Sequence, residues 1–204
     1  MPVKSTELGA SLNVSIRVLD MWEALTDLEI SFLHTLQENA TQAGDVIWTL
    51  ITSFGESGIF WIALSLVLMF FPKTRRAGFT MGLALLMGVI VGNGILKNVI
   101  ARPRPYDFDP TLAHRLAWGE MTSDYSFPSG HTLASFEASV GLLIHHKKWG
   151  ITALVLAFFV CVSRLFLLVH YPSDVLAGAI LGTFFAFLSA KIVDLLWKKF
   201  TKKA

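Results

Sequence analysis

An all-α, polytopic transmembrane helix bundle of five to six spans, with an N-terminal amphipathic region, is what this chain predicts, and three observations predict it. Hydrophobic residues make up 53% of its 204 residues and the mean hydropathy is +0.57, well above what a soluble domain of this length needs to fill one core. Apolar residues gather in runs that approach the roughly 20 needed to cross a bilayer. Lys and Arg cluster in every second gap between those runs.

The elements follow in order. Residues 5 to 45 interleave Leu19, Trp22, Leu25 and Leu28 with Asp20, Glu23, Asp27 and Glu29, the pattern of an amphipathic helix lying in the interface. The alternative is that Ile30 to Leu36 belongs to a weakly marked sixth span. The chain is therefore divided into an interfacial region, 1–45, and a transmembrane domain, 46–204. Residues 57 to 71 (SGIFWIALSLVLMFF) give the first clear span, which extends back to about Val46 if Gly55-Glu56 is a kink. Residues 77 to 96, 132 to 144, 149 to 169 and 174 to 197 give four more. The third of the five is short unless His131 to His146 all belong to it. Met1 to Asp20 shows no basic segment followed by an apolar run and a cleavage site, so no cleavable signal peptide is expected.

Lys73, Arg75 and Arg76, then Lys147 and Lys148, then Lys198, Lys199, Lys202 and Lys203 all fall on one side of the predicted bundle. The positive-inside rule assigns that side to the cytoplasm. A net charge of +2 gives no reason to expect nucleic acid as a partner. Cys161 is the sole cysteine, which excludes a disulfide framework and a cysteine metal cluster.

Three stretches meet on the opposite face: KNVIARPRP (97 to 105), PSGH (128 to 131) and SRLFLLVHYPSD (163 to 174). Lys97, Arg104 and Arg164 stand at span ends, where ionisable groups are costly and mark functional sites. Three cations together need an anion between them, and phosphate suits guanidinium and ammonium donors. For Lys97 alone, snorkelling to the headgroups is an equal alternative. Pro128, the N-cap candidate Ser129 and Gly130 start a helix whose free N–H groups can bind an anion, with His131 at the rim. His170 and Asp174 are four residues apart, so the carboxylate can receive the imidazole Nδ1–H and leave Nε2 as a nucleophile. Asp174 can also merely offset the helix dipole. Asp107 and Asp109 lack further ligands for magnesium and read as solvated. His145 and His146 read as interfacial beside Lys147 and Lys148. Glu137 fits a structural role or a hydrogen bond near the site.

Together the stretches resemble the three signature motifs of the type 2 phosphatidic acid phosphatase superfamily, which also includes vanadium haloperoxidases and glucose-6-phosphatase. Lys97, six residues and Arg104-Pro105 match the first; Pro128-Ser129-Gly130-His131 matches the second. Ser163-Arg164, five residues, His170, three residues and Asp174 match the third. The resemblance implies that His170 attacks phosphorus and forms a phosphohistidine, oriented by Asp174, while His131 protonates the leaving oxygen and then activates water. Lys97, Arg104, Arg164 and the backbone of Ser129 and Gly130 would hold the phosphoryl oxygens, with no metal or cofactor required. Family members commonly have six spans, and the first is not clearly visible here.

The expected function is an integral membrane lipid phosphatase of a bacterial cytoplasmic membrane, its site on the extracytoplasmic face. The substrate, reaching the site sideways from the bilayer, would be undecaprenyl pyrophosphate, phosphatidylglycerophosphate, phosphatidic acid or diacylglycerol pyrophosphate. A lipid phosphotransferase using the same intermediate is the alternative, and a non-enzymatic phosphate-binding transporter a more distant one.

Overall fold

The computed structural model describes residues 23–118 and 124–201. Leu19, Trp22, the stretch Met1 to Asp20, Lys202 and Lys203 lie outside the described residues.

Helix α1 occupies residues 23–38. It is followed by α2 (Gln42–Ser53), a single 3₁₀ turn (Glu56–Gly58) and α3 (Ile59–Phe70). The helical path breaks just after Gly55-Glu56, where Ser57 and Gly58 take positive φ values of 48° and 67°. Next comes α4 (Arg75–Met87), which runs without interruption through a π-helical stretch (Gly88–Leu96) and a last turn (Lys97–Ile100). A short α5 (Pro105–Phe108) precedes α6 (Gly130–His145), α7 (Lys147–Phe166) and α8 (Pro172–Thr201).

Four of the described segments are long and apolar enough to cross a membrane: Gln42–Phe70 taken through its kink, Arg75–Phe108, Lys147–Phe166 and Pro172–Lys199. The remaining predicted span is α6. At 16 residues it is about 24 Å long, shorter than an ordinary crossing helix. Its place explains its mixed composition, because α6 packs against α3, α4, α7 and α8 and has little surface left for lipid. Thr132, Ser135, Glu137 and Ser139 are all buried on it. Trp61 on α3 donates its indole N–H to the Ser135 hydroxyl at 3.0 Å, so the largest core side chain is also polar-satisfied.

Close approach of α6 to α8 depends on small residues. A methyl group at Gly182 would stand 2.6 Å from the Leu133 carbonyl oxygen and 2.9 Å from the Phe136 Cβ. Gly182→Ala is therefore expected to push α8 off α6 and lower stability by about 1–3 kcal/mol. Thermal melting of the detergent-solubilised protein would show it, and an unchanged Tm would mean the helices can slide apart without loss.

Helix α1 packs on the loops at one end of the bundle. Leu33 is fully buried against Leu112, Leu168 and Tyr171. His34 Nε2 lies 2.9 Å from Asp109 Oδ2. The other end carries the Lys and Arg clusters of the loops, and there Arg76 lies over the Trp197 ring at 5.0 Å and ties α4 to α8.

Candidate active site

The site is built where three helix ends meet. After Lys97–Ile100, Ala101 turns the chain with a left-handed φ of 47°. Prolines 103 and 105 then hold it extended up to α5. This turn sends the two neighbouring arginines to different partners. Arg104 Nη1 donates to the Val169 carbonyl at 2.9 Å and Nε to the Asp124 carbonyl at 3.0 Å. Its Nη2 and the Lys97 ammonium both pair with the Asp124 carboxylate. An internal carboxylate thus lies between two of the cations expected to hold a phosphate. Burial opposes ionisation of Asp124, but Lys97 and Arg104 outweigh it and hold the carboxyl well below the usual range.

Arg102 turns inward and is 5% exposed. Its Nη1 donates to Asp174 Oδ1 and to the Ser173 hydroxyl, each at 2.7 Å, and its Nη2 to Glu29 Oε2 at 2.7 Å. The guanidinium also stacks over Tyr171, 3.7 Å from the ring centroid.

In the second stretch Ser129 holds the N-cap position of α6, but its side chain makes no cap bond. The hydroxyl accepts from Thr132 at 3.1 Å, and the Ser129 N–H donates to the Asp174 carbonyl at 3.2 Å. Of the two residues whose backbone was expected to meet phosphate, Gly130 lines the cleft and Ser129 supports α8 instead. Gly55, at the α2–α3 kink, lies flat on the His131 ring, since a methyl there would stand 2.8 Å from Cδ2. His131 Nε2 is 3.4 Å from Glu56 Oε2, within ion-pair range but without hydrogen-bond alignment.

In the third stretch α7 stops because Leu168 adopts a left-handed φ of 58°, a costly conformation for leucine that its complete burial holds in place. The chain then reaches His170. Its Nδ1 lies 3.5 Å from Asp174 Oδ2 and 3.4 Å from the Ser126 hydroxyl, which itself donates to Asp174 Oδ2. The Tyr171 N–H adds a bond to the same carboxylate oxygen at 3.0 Å. Burial pushes the His170 imidazole down to about 3, against the pull of Asp174, so the ring is neutral at physiological pH. Ser173 lies in the first turn of α8; its hydroxyl faces Arg102, and Glu29 Oε1 from α1 accepts the Ser173 N–H at 2.6 Å. Arg164 is 4% exposed, with Nη1 on the Thr52 hydroxyl at 2.6 Å and Nε without a partner among the described residues.

A cleft of about 710 Å³ opens in front of these groups and is lined by Lys97, Arg104, Gly130, His131, Arg164 and His170. Asp174 lies behind His170. Neutral imidazole, a second imidazole and guanidinium donors on one cleft can bind a phosphoryl group and attack it. Arg102, Glu29, Ser126 and Asp124 were not anticipated from the sequence. Arg102 carried a signal, as a second arginine in the ARPRP turn. Asp109, read as solvated, accepts from the Thr111 hydroxyl at 2.6 Å and N–H at 2.9 Å and from His34, which hold it down to about 2. His145 bonds Thr80 at 2.9 Å, tying α6 to α4.

A family model described as the PAP2 superfamily matches residues 76–198, more than half of the chain and all three stretches. The chain belongs to the PAP2 superfamily. It is 32% identical over 168 residues to an undecaprenyl-diphosphatase of Sulfolobus acidocaldarius, covering 81% of this chain and 78% of that protein. It is 28% identical over 152 residues to undecaprenyl-diphosphatase BcrC of Bacillus subtilis, covering 74% and 76%. The crystal structure of a transmembrane PAP2-type phosphatidylglycerolphosphate phosphatase from Bacillus subtilis superposes with a TM-score of 0.69 at 27% identity, covering 91% of this chain and 95% of that one. This PAP2 member is an integral membrane enzyme, and its relatives are membrane lipid phosphatases.

Proposed function

We propose that this PAP2 enzyme hydrolyses a lipid phosphomonoester or pyrophosphate through a phosphohistidine on His170, on the extracytoplasmic face of a bacterial cytoplasmic membrane. One observation carries the mechanism: a buried neutral His170 whose Nδ1 is turned to Asp174 and Ser126, on the same cleft as His131 and three cations. With Nδ1 committed as the donor, Nε2 keeps its lone pair and attacks phosphorus in line. The bond from phosphorus to the leaving oxygen breaks as His131 gives that oxygen a proton. His131 then takes a proton from water, which attacks the phosphohistidine and releases inorganic phosphate and free His170.

Lys97, Arg104 and Arg164 stabilise the charge spread over the phosphoryl oxygens. A substrate phosphate competes with Asp124 for Lys97 and Arg104, so Asp124 keeps those cations in place between turnovers. Placement of the site opposite the Lys and Arg clusters supports the extracytoplasmic assignment. Among substrates, undecaprenyl pyrophosphate, phosphatidylglycerophosphate, phosphatidic acid and diacylglycerol pyrophosphate all present the required group.

The test is phosphate release by purified protein in detergent with EDTA present, on these four lipids, across pH. Release is expected to survive the chelator. The acid limb belonging to His170 is expected well below pH 6.5, because its imidazole stays neutral until about pH 3. Silence on every lipid from folded protein, or release abolished by EDTA, would overturn the reading.

A further inference from the structure

The lining of the cleft extends beyond the residues that the proposed chemistry uses. From His131 it follows α6 past Ala134 to Glu137, six residues on and so about 9 Å deeper along the helix. Ile62 of α3 and Leu85 of α4 line its sides. Its floor is polar. Glu137 is 1% exposed, and its Oε1 has no hydrogen-bond partner among the described residues. A methyl at Gly88 would stand 2.2 Å from that oxygen, so the carboxyl rests on bare backbone where α4 widens into its π-helical stretch. Such widened turns occur often at functional sites.

A buried polar atom without a partner needs an explanation, and an ionisable side chain inside a membrane helix marks a substrate path. Packing alone would be served as well by leucine. We propose that Glu137 is the hydrogen-bonding subsite for the ester-bearing glycerol backbone of a diacyl lipid phosphate, an assignment that rests on the phosphatase reading of the cleft. In such a lipid an ester carbonyl lies a few bonds from phosphorus, on the side that leads toward the tails. It is a hydrogen-bond acceptor, and a carboxyl O–H can donate to it. A polyprenyl phosphate has only hydrocarbon at that depth and leaves the oxygen unpartnered. One polar group among apolar walls is the usual way a pocket fixes a ligand's register.

The test compares kcat/KM of the full-length protein in detergent on dioleoyl phosphatidic acid, its dialkyl ether counterpart without the carbonyls, and a polyprenyl phosphate. Wild type is expected to favour the diacyl over the dialkyl lipid by about tenfold, the scale of one hydrogen bond, and to favour it over the polyprenyl lipid. Glu137→Leu is expected to bring the diacyl-to-dialkyl ratio close to one. Glu137→Gln, which keeps an N–H donor, should restore part of it. A wild-type ratio already near one, or equal losses on both lipids in Glu137→Leu, would overturn the subsite. If Glu137→Leu does not fold, the wild-type ratio and Glu137→Gln decide. Turnover of none of the three lipids by wild type would overturn the subsite, and the phosphatase reading falls with it only if the pyrophosphates and phosphatidylglycerophosphate are silent as well; turnover without discrimination removes the subsite alone.

Discussion

His170→Ala is expected to reduce phosphate release by at least about 10⁴-fold while the helix bundle stays folded. The size of the loss follows from the proposed covalent route: without Nε2 no phosphohistidine forms, and the cations and His131 can act only on direct attack by water. Folding survives because Asp174 keeps Arg102, Ser126 and the Tyr171 N–H as partners when the imidazole is gone. Vanadate, a phosphate analogue, should still bind weakly through the remaining cations. A second readout separates loss of the ring from general damage. Burial depresses the His170 value from 6.5 to about 3, so between these the unfolded chain binds more protons than the folded one. That contribution to stability is present above pH 6.5 and is lost as pH falls toward 3. The variant lacks it, and its Tm should decline less steeply on acidification than that of wild type. Substantial phosphate release by His170→Ala would move the nucleophile to another residue.

The legible parts of this molecule were those in which local chemistry and position agree. Cations and histidines at the ends of apolar runs had to be at helix termini on one face, and the cleft gathers six of the eight residues predicted for the site. A break near Gly55-Glu56 was readable because neither residue suits the middle of a span, and it falls at the next two residues, Ser57 and Gly58. What could not be read depends on rotation of the chain or on distant partners. Arg102 and Arg104 share one turn, and only the left-handed Ala101 decides that Arg102 goes to Asp174 while Arg104 goes to Asp124. Glu29 belongs to a helix read as amphipathic and interfacial, yet it meets Ser173 across 144 positions of sequence. Ser129 and Ser173 both have N-cap propensity, and in both the hydroxyl is engaged by another side chain. Propensity identified the helix start at Ser129, and tertiary contacts decided the hydrogen bonds of both.

Arg102→Ala should combine a large loss of stability with a large loss of activity, and the two can be measured separately. The guanidinium lies between two carboxylates that are almost fully buried, Glu29 at 3% and Asp174 at 0% exposure. Removing it leaves both without their counter-ion, a change that costs about 3–5 kcal/mol in buried networks. Tm in detergent measures that part. Activity per folded molecule measures the other: with Oδ1 released, Asp174 can rotate away from His170, and kcat should fall by roughly 10²-fold or more with a smaller change in KM. Arg102→Lys supplies charge without the fork and can satisfy one carboxylate at a time, so it should recover stability better than kcat. Glu29→Gln still accepts from the Ser173 N–H and keeps the packing, so its effects should have the same sign and be smaller. Full kcat in folded Arg102→Ala would show that Ser126 and Tyr171 suffice to aim Asp174. A shared kcat defect in Arg102 and Glu29 variants would instead make α1 part of the reacting unit, because Glu29 is its side chain and reaches Asp174 through Arg102 and through the Ser173 N–H.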